Sequence, residues 1–388
     1  MKVNARKCLV TAALLVFGVR AAEIIPVSNG MEAIPDSYLV VMKDDIQARE
    51  FDTHRSWVDG LLHDNAAGAN DAGKGWGVKY IEQDAMIRAL GLVTQKGAGW
   101  YLSRISHKKL PPTPEYVYEE RAGQNVHIYL LDTGVDGTNS GLRGRVIQGI
   151  NTTPDGDSDE NGHGTSVAEV IAGTVHGVAK KALVVSVKIL DNTGSGSISG
   201  IIKGLDWSIS DVAKRNIVGK AVMNMSLGGA YSASFNQATE KVIKAGIFVA
   251  ASVGAGNVDY PPLFFSHSSN FWFQRDASQE SPVSANGVCA VAASTPADAP
   301  ASFGSYGPVV DIYAPGTNIT TRIHGDKLVT VSGSSYSTSQ VSGMATFIID
   351  MGMSSDKVCE TIKKLALPSI QDPKPGTTKL LLYNGSGL

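Results

Sequence analysis

The chain has 388 residues, 43% of them apolar and 18% charged, with a formal net charge of −2. That is enough apolar sequence for a large buried core, and the length suggests two domains or one large domain with an appendage. The near-neutral charge gives no electrostatic case for nucleic acid or an anionic membrane surface as a partner.

At the N-terminus, Lys2, Arg6 and Lys7 precede an apolar run from Cys8 to Val19, and Val19-Arg20-Ala21-Ala22 leads into polar sequence. A basic start, a short apolar run and small residues at Val19 and Ala21 form the pattern of a secretory signal over residues 1–21. The run is shorter than the roughly 20 residues that span a bilayer, which argues against the alternative of a membrane anchor. No later segment is long and apolar enough, so a secreted chain without stable membrane insertion is expected. Cys8 leaves with the signal, and the mature chain keeps Cys289 and Cys359. An oxidising compartment favours their pairing, with two buried free thiols as the alternative.

From Ile34 to Lys43 apolar and polar residues alternate as in a half-buried strand, and a helix-like stretch follows from Ala48 to Leu62. Asn65-Ala66-Ala67-Gly68-Ala69-Asn70 and Ala72-Gly73-Lys74-Gly75 read as a loop, and Val78-Lys79-Tyr80-Ile81 as a second strand. Together these predict a small α+β module over residues 22–96. Beyond it, Val126 to Leu131, Leu183 to Leu190, Ala221 to Leu227, Ile247 to Val253 and Val288 to Ala293 are continuous apolar runs. Continuous runs suit strands buried on both faces, and helix-length segments lie between them: Gly164 to Thr174, Ser197 to Lys214, Ser232 to Ala245, Ser335 to Met351 and Ser355 to Ala366. The expected fold over residues 97–388 is therefore α/β, a mostly parallel sheet with helices on both faces.

Three segments set a reactive side chain beside glycine: Leu131-Asp132-Thr133-Gly134, Asn161-Gly162-His163-Gly164-Thr165 and Ser332-Gly333-Ser334-Ser335. A serine hydroxyl is a poor nucleophile until a neutral imidazole takes its proton, and a carboxylate holds that imidazole in the right tautomer. Asp132 follows a predicted strand, where ligands of such sheets collect, and His163 and Ser335 would each open a helix. Asp-Thr-Gly also occurs in aspartic peptidases, but it appears once here and that chemistry needs two carboxylates.

The order Asp132, His163, Ser335, with separations of 31 and 172 residues, resembles that of subtilisin-type peptidases. The run from Asp159 to Ala168 is similar to the family's histidine segment, with Ser166 where the family often has a second histidine. The run from Ser332 to Gly343 is similar to the family's Ser-Gly-Thr-Ser-Met-Ala-Thr-Pro-His-Val-Ala-Gly. Its departures include Ser334, Tyr336, Ser337, Ser339 and Gln340. The resemblance implies a serine endopeptidase acting on protein or peptide substrates through an acyl-enzyme, needing no cofactor for chemistry. It also implies that residues 22–96, opening on an Ile-Pro-x-x-Tyr-x-Val pattern, are a propeptide that assists folding and then inhibits. Gln95-Lys96-Gly97-Ala98-Gly99-Trp100 resembles the junction where proteinase K-like enzymes begin their mature chain.

The family's oxyanion donor is an asparagine ending a Val-Ala-Ala-Gly-Asn strand. In Val249-Ala250-Ala251-Ser252-Val253-Gly254-Ala255-Gly256-Asn257 a gapless alignment puts Ala255 at that position, and a two-residue insertion puts Asn257 there. Retention of Gly-Asn favours Asn257. Without that donor, a catalytically weak or inactive binding protein on the same scaffold is the alternative function. A long aromatic stretch, Tyr260 to Phe273, follows. By the same resemblance, substrate backbone would lie between Ser197-Ile198-Ser199 and Ser226-Leu227-Gly228-Gly229. Ser226, Leu227 and Gly228, with Ala250 to Gly254, would wall an apolar S1 pocket, and no acidic cluster demands a basic P1 residue. The resemblance further implies a Cys289–Cys359 disulfide, a monomer, and a structural Ca²⁺ held by Asn286, Val288 and Asp311.

Overall fold

In the computed structural model, residues 3–4, 23–25, 32–43, 78–86, 91–254 and 275–388 are described. The chain divides into two compact units, Met1–Ala89 and Leu90–Leu388. The apolar run of the signal, the helix expected over 48–62, the loop after it, Ala255, Asn257 and the aromatic stretch all lie outside the described residues.

The first unit holds a four-stranded sheet, β1 (Val3–Asn4), β2 (Glu23–Ile25), β3 (Glu32–Met42) and β4 (Val78–Met86), in the order β1-β3-β4-β2. The alternating run from Ile34 forms most of β3, antiparallel to β4.

In the second unit β5 (Leu92–Lys96) pairs antiparallel with β6 (Glu115–Glu119) along its whole length. The residues before the expected boundary at 96/97 are thus built into the large unit, and Gln95 Nε2 also donates to the Val175 carbonyl at 3.1 Å. Seven strands follow: β7 (His127–Asp132), β8 (Val146–Asn151), β9 (Leu183–Lys188), β10 (Ala221–Met225), β12 (Phe248–Ser252), β14 (Cys289–Ser294) and β15 (Ile312–Pro315). They form one sheet in the order β15-β14-β12-β10-β7-β9-β8, with every neighbouring pair parallel. Two short pairs complete the strands: β11 (Gly229–Ala230) with β13 (Glu280–Ser281), and β16 (Ile319–Arg322) with β17 (Leu328–Val331).

The sheet is buried on both faces, and the strand period assigns each residue to one of two cores. Ile128 and Leu130 of β7, Val222 of β10 and Ala250 of β12 face one cluster. Tyr129, Leu131, Met223 and Ala251, one residue away in each strand, face the other. Among the described residues the α-helices are α1 (Trp100–Ser106), α2 (His163–Ala172), α3 (Ile198–Lys214), α4 (Ala233–Lys244), α5 (Ser334–Asp350) and α6 (Val358–Leu365). Residues of α1, α2, α5 and α6 pack in the first cluster, residues of α3 and α4 in the second. Every residue of α2 is buried, and so is every residue of α5 except Ser335. A helix enclosed in this way holds its first turn at a fixed place over the strand ends.

Candidate active site

Asp132 ends β7, an interior strand of the sheet, and is fully buried. The Thr133 backbone N–H donates to its Oδ1 at 2.7 Å, which holds the carboxylate. Lys188, the last residue of the neighbouring strand β9, donates from Nζ to the Thr133 carbonyl. His163 opens α2 after Gly162, whose φ of 88° reverses the chain in a conformation that favours glycine. The next residue must also be glycine: a Cβ at Gly164 would run into the carbonyl oxygen of Gly134 and press on Asp132. That close approach brings His163 Nδ1 to 2.7 Å from Asp132 Oδ1.

Ser335 lies in the first turn of α5, where backbone N–H groups have no carbonyl behind them in the helix. Its Oγ is 3.1 Å from His163 Nε2 and 3.3 Å from the Ser226 carbonyl. Carboxylate, imidazole and hydroxyl thus stand in one hydrogen-bonded line. Burial disfavours the charged imidazole, but the Asp132 carboxylate, through charge and hydrogen bond, and the Asp159 charge beyond it together raise the His163 pKa above its ordinary 6.5.

A cleft of about 510 Å³ opens over Ser335 and His163. Its apolar lining includes Leu190, Ile198, Ile201, Leu227 and Phe235, and the segments Gly194-Ser195-Gly196 and Ser226-Leu227-Gly228 line it as well. In the segment 197–199, Ser197 caps α3 by accepting from the Gly200 N–H, and Ile198, which begins the helix, lines the cleft. Ser226 lines the cleft, its Oγ donating to Asn224 Oδ1 at 2.8 Å and also near the Ser335 carbonyl at 3.1 Å. Gly228 leaves open the slot between the carbonyls of Ser281 and Ser252.

Glu280 of β13 is 4% exposed. Its Oε2 accepts from the Gly254 N–H at 2.8 Å, while Oε1 accepts from Arg275 Nε and Ser305 Oγ at 2.9 and 2.7 Å. Three donors satisfy the charge and pin the end of β12 to the β11–β13 pair.

Asp159 opens the histidine segment. It is 2% exposed. Oδ1 accepts from Thr133 Oγ1 and the Gly162 N–H at 2.7 and 2.8 Å, and Oδ2 from the Thr165 N–H and hydroxyl at 2.8 and 2.6 Å. A charged residue set among glycines just before a histidine is the signal that marks it. For Lys188 the signal is a lone lysine ending an apolar strand.

Cys289 and Cys359 form a disulfide, with Cα atoms 5.7 Å apart, so their sulfurs are not available as thiolate metal ligands beside Asp311. The Ca²⁺ expected at Asn286, Val288 and Asp311 meets a competing cation. Asp311 Oδ2 accepts from the Ala290 N–H at 3.0 Å, and Oδ1 pairs with Lys363 Nζ at 3.2 Å. Lys363 also pairs with Glu360 at 2.8 Å. The carboxylate therefore does not fit a divalent ion unless the lysine withdraws.

A buried carboxylate, an imidazole and a serine hydroxyl in line at the carboxyl ends of a parallel sheet define the site of a serine hydrolase. The chain belongs to the subtilase family, whose sequence model matches residues 123–383. It is 41% identical to a subtilisin-like protease of Coccidioides posadasii (strain C735), covering 96% of each chain. It is 40% identical to the subtilisin-like serine protease Pen ch 13 of Penicillium rubens, covering 98% of each. The crystal structure of a cold adapted subtilisin-like serine proteinase superposes with a TM-score of 0.65 at 32% identity, over 74% of this chain and 98% of that one. Among the described residues no helix is long and apolar enough to cross a membrane.

Proposed function

We propose that this subtilase is a secreted endopeptidase, made as a zymogen, with Ser335 as nucleophile, His163 as general base and acid, and Asp132 as the group that orients the imidazole. As Ser335 Oγ attacks the scissile carbonyl, its proton passes to His163 Nε2, and the imidazolium is stabilised through Nδ1–H by Asp132. Collapse of the tetrahedral adduct returns the proton from Nε2 to the leaving amine. Water then attacks the acyl-enzyme by the same route and frees Ser335. The Ser335 backbone N–H faces the developing oxyanion, and Asn257 supplies the side-chain donor. An extended peptide lies between the segments Gly194–Gly196 and Ser226–Gly228, reading backbone rather than particular side chains, with an apolar residue at P1.

The observation that carries this reading is the placement of His163 between Asp132 at 2.7 Å and Ser335 at 3.1 Å. It supports an enzyme over a protein that only binds. Maturation removes residues 22–96, with the cut near the junction that Gln95 to Trp100 resembles. Casein hydrolysis by the processed protein, lost in Ser335→Ala, tests the chemistry. N-terminal sequencing of the secreted form tests maturation, and ends found only near Glu23 contradict it.

A further inference from the structure

Two departures from the family's pattern meet in space. Tyr336 stands where the pattern has methionine, directly after Ser335, and Ser166 stands where a second histidine is common. Both are fully buried, and their hydroxyl oxygens lie 3.0 Å apart. Ser166 Oγ is also 2.7 Å from the backbone carbonyl of His163. A carbonyl only accepts, so Ser166 donates to it, and the shared contact must then run from Tyr336 O–H into Ser166 Oγ. The Tyr336 ring lies 6.4 Å from the imidazole of His163, tilted by 54°. From the other side Thr321 Oγ1 of β16 donates to the Ser166 carbonyl at 2.9 Å, which fixes Ser166 itself.

We propose that Tyr336 is a positioning residue whose hydroxyl, relayed by Ser166 to the His163 carbonyl, ties α5 to α2 and sets the separation of Ser335 Oγ from His163 Nε2. Tyr336 is bonded through the chain to the nucleophile, and Ser166 lies one helical turn from the base. One hydrogen bond therefore joins the two helices beside the reacting atoms, and a second, within α2, carries it to the backbone of the base. In a dry interior such bonds are stiff, and displacement of a reacting group by a fraction of an ångström is felt in rate. The substitutions belong together as a pair: a tyrosine hydroxyl needs a small polar partner across the helix contact, and serine provides it.

This inference rests on the proposed function, and the experiment separates the two. Parent, Tyr336→Phe, Ser166→Ala and the double variant are compared for the rate of fluorophosphonate labelling at Ser335 and for kcat and KM on a chromogenic peptide. The expected result is a loss of about tenfold in labelling rate and kcat for each single variant, with KM unchanged. The double variant is then no slower than the slower single one, because both changes break one relay. Labelling and kcat at the parental level in both single variants, or losses that multiply in the double variant, overturn the relay. Should Tyr336→Phe fail to fold, Ser166→Ala carries the same expectation by itself. A parent that is not labelled at Ser335 overturns the hydrolase reading instead, and the relay with it.

Discussion

Thr133 donates its hydroxyl hydrogen to Asp159 at 2.7 Å, and the same oxygen accepts from the Gly164 N–H at 2.9 Å. One threonine thus joins the loop that carries the acid to the helix that carries the base. The distance from Asp132 to His163 is set by this frame as well as by attraction between the two side chains.

The charge of Asp159 acts on His163 and gives a pH prediction with a definite sign. The base works when neutral, so kcat/KM rises as pH rises through the His163 pKa, which lies above 6.5 and is raised in part by Asp159. Asp159→Asn removes that charge, lowers the pKa and moves the rising limb to lower pH. A limb unmoved or displaced to higher pH contradicts the assignment.

Gly164 tests the frame by sterics. Its missing Cβ leaves room for the Gly134 carbonyl and Asp132. Gly164→Ala forces the two loops apart, and a misplacement near 1 Å costs about 10²-fold in rate. The expected outcome is a fall in kcat of that order in a protein that still unfolds cooperatively. Parental kcat in a folded Gly164→Ala protein contradicts the close approach.

At Asp311 the prediction concerns the cation. With Lys363 paired to the carboxylate, the melting temperature of the parent does not change between excess EDTA and millimolar calcium. Lys363→Met frees Asp311 Oδ1, and calcium then raises the melting temperature of that variant. A parent that loses stability in EDTA shows instead that the metal displaces the lysine.

Much of this was legible in the sequence, for physical reasons that also explain the gaps. Strands β7, β9, β10, β12 and β14 are central and buried on both faces, so each is a continuous apolar run. The edge strands β8 and β15 were not anticipated. Val146-Ile-Gln-Gly-Ile-Asn151 is only half-buried at its best positions, and Ile312–Pro315 is four residues long. Asp132, His163 and Ser335 stood out because glycine is needed where backbones approach a reactive side chain. The pairing of Lys363 with Asp311, and the relay from Tyr336 to Ser166, are contacts between residues 52 and 170 positions apart. Sequence pattern carries no direct trace of contacts at that range.

The central claim is that Ser335 is the nucleophile activated by His163. The most direct measurement is intact-protein and peptide mass spectrometry of the matured protein after reaction with a fluorophosphonate. The account predicts one adduct per chain, located on Ser335, with casein hydrolysis abolished in step and no adduct in His163→Ala. Casein hydrolysis that persists in a chain fully modified at Ser335, or an adduct on another residue, would contradict it.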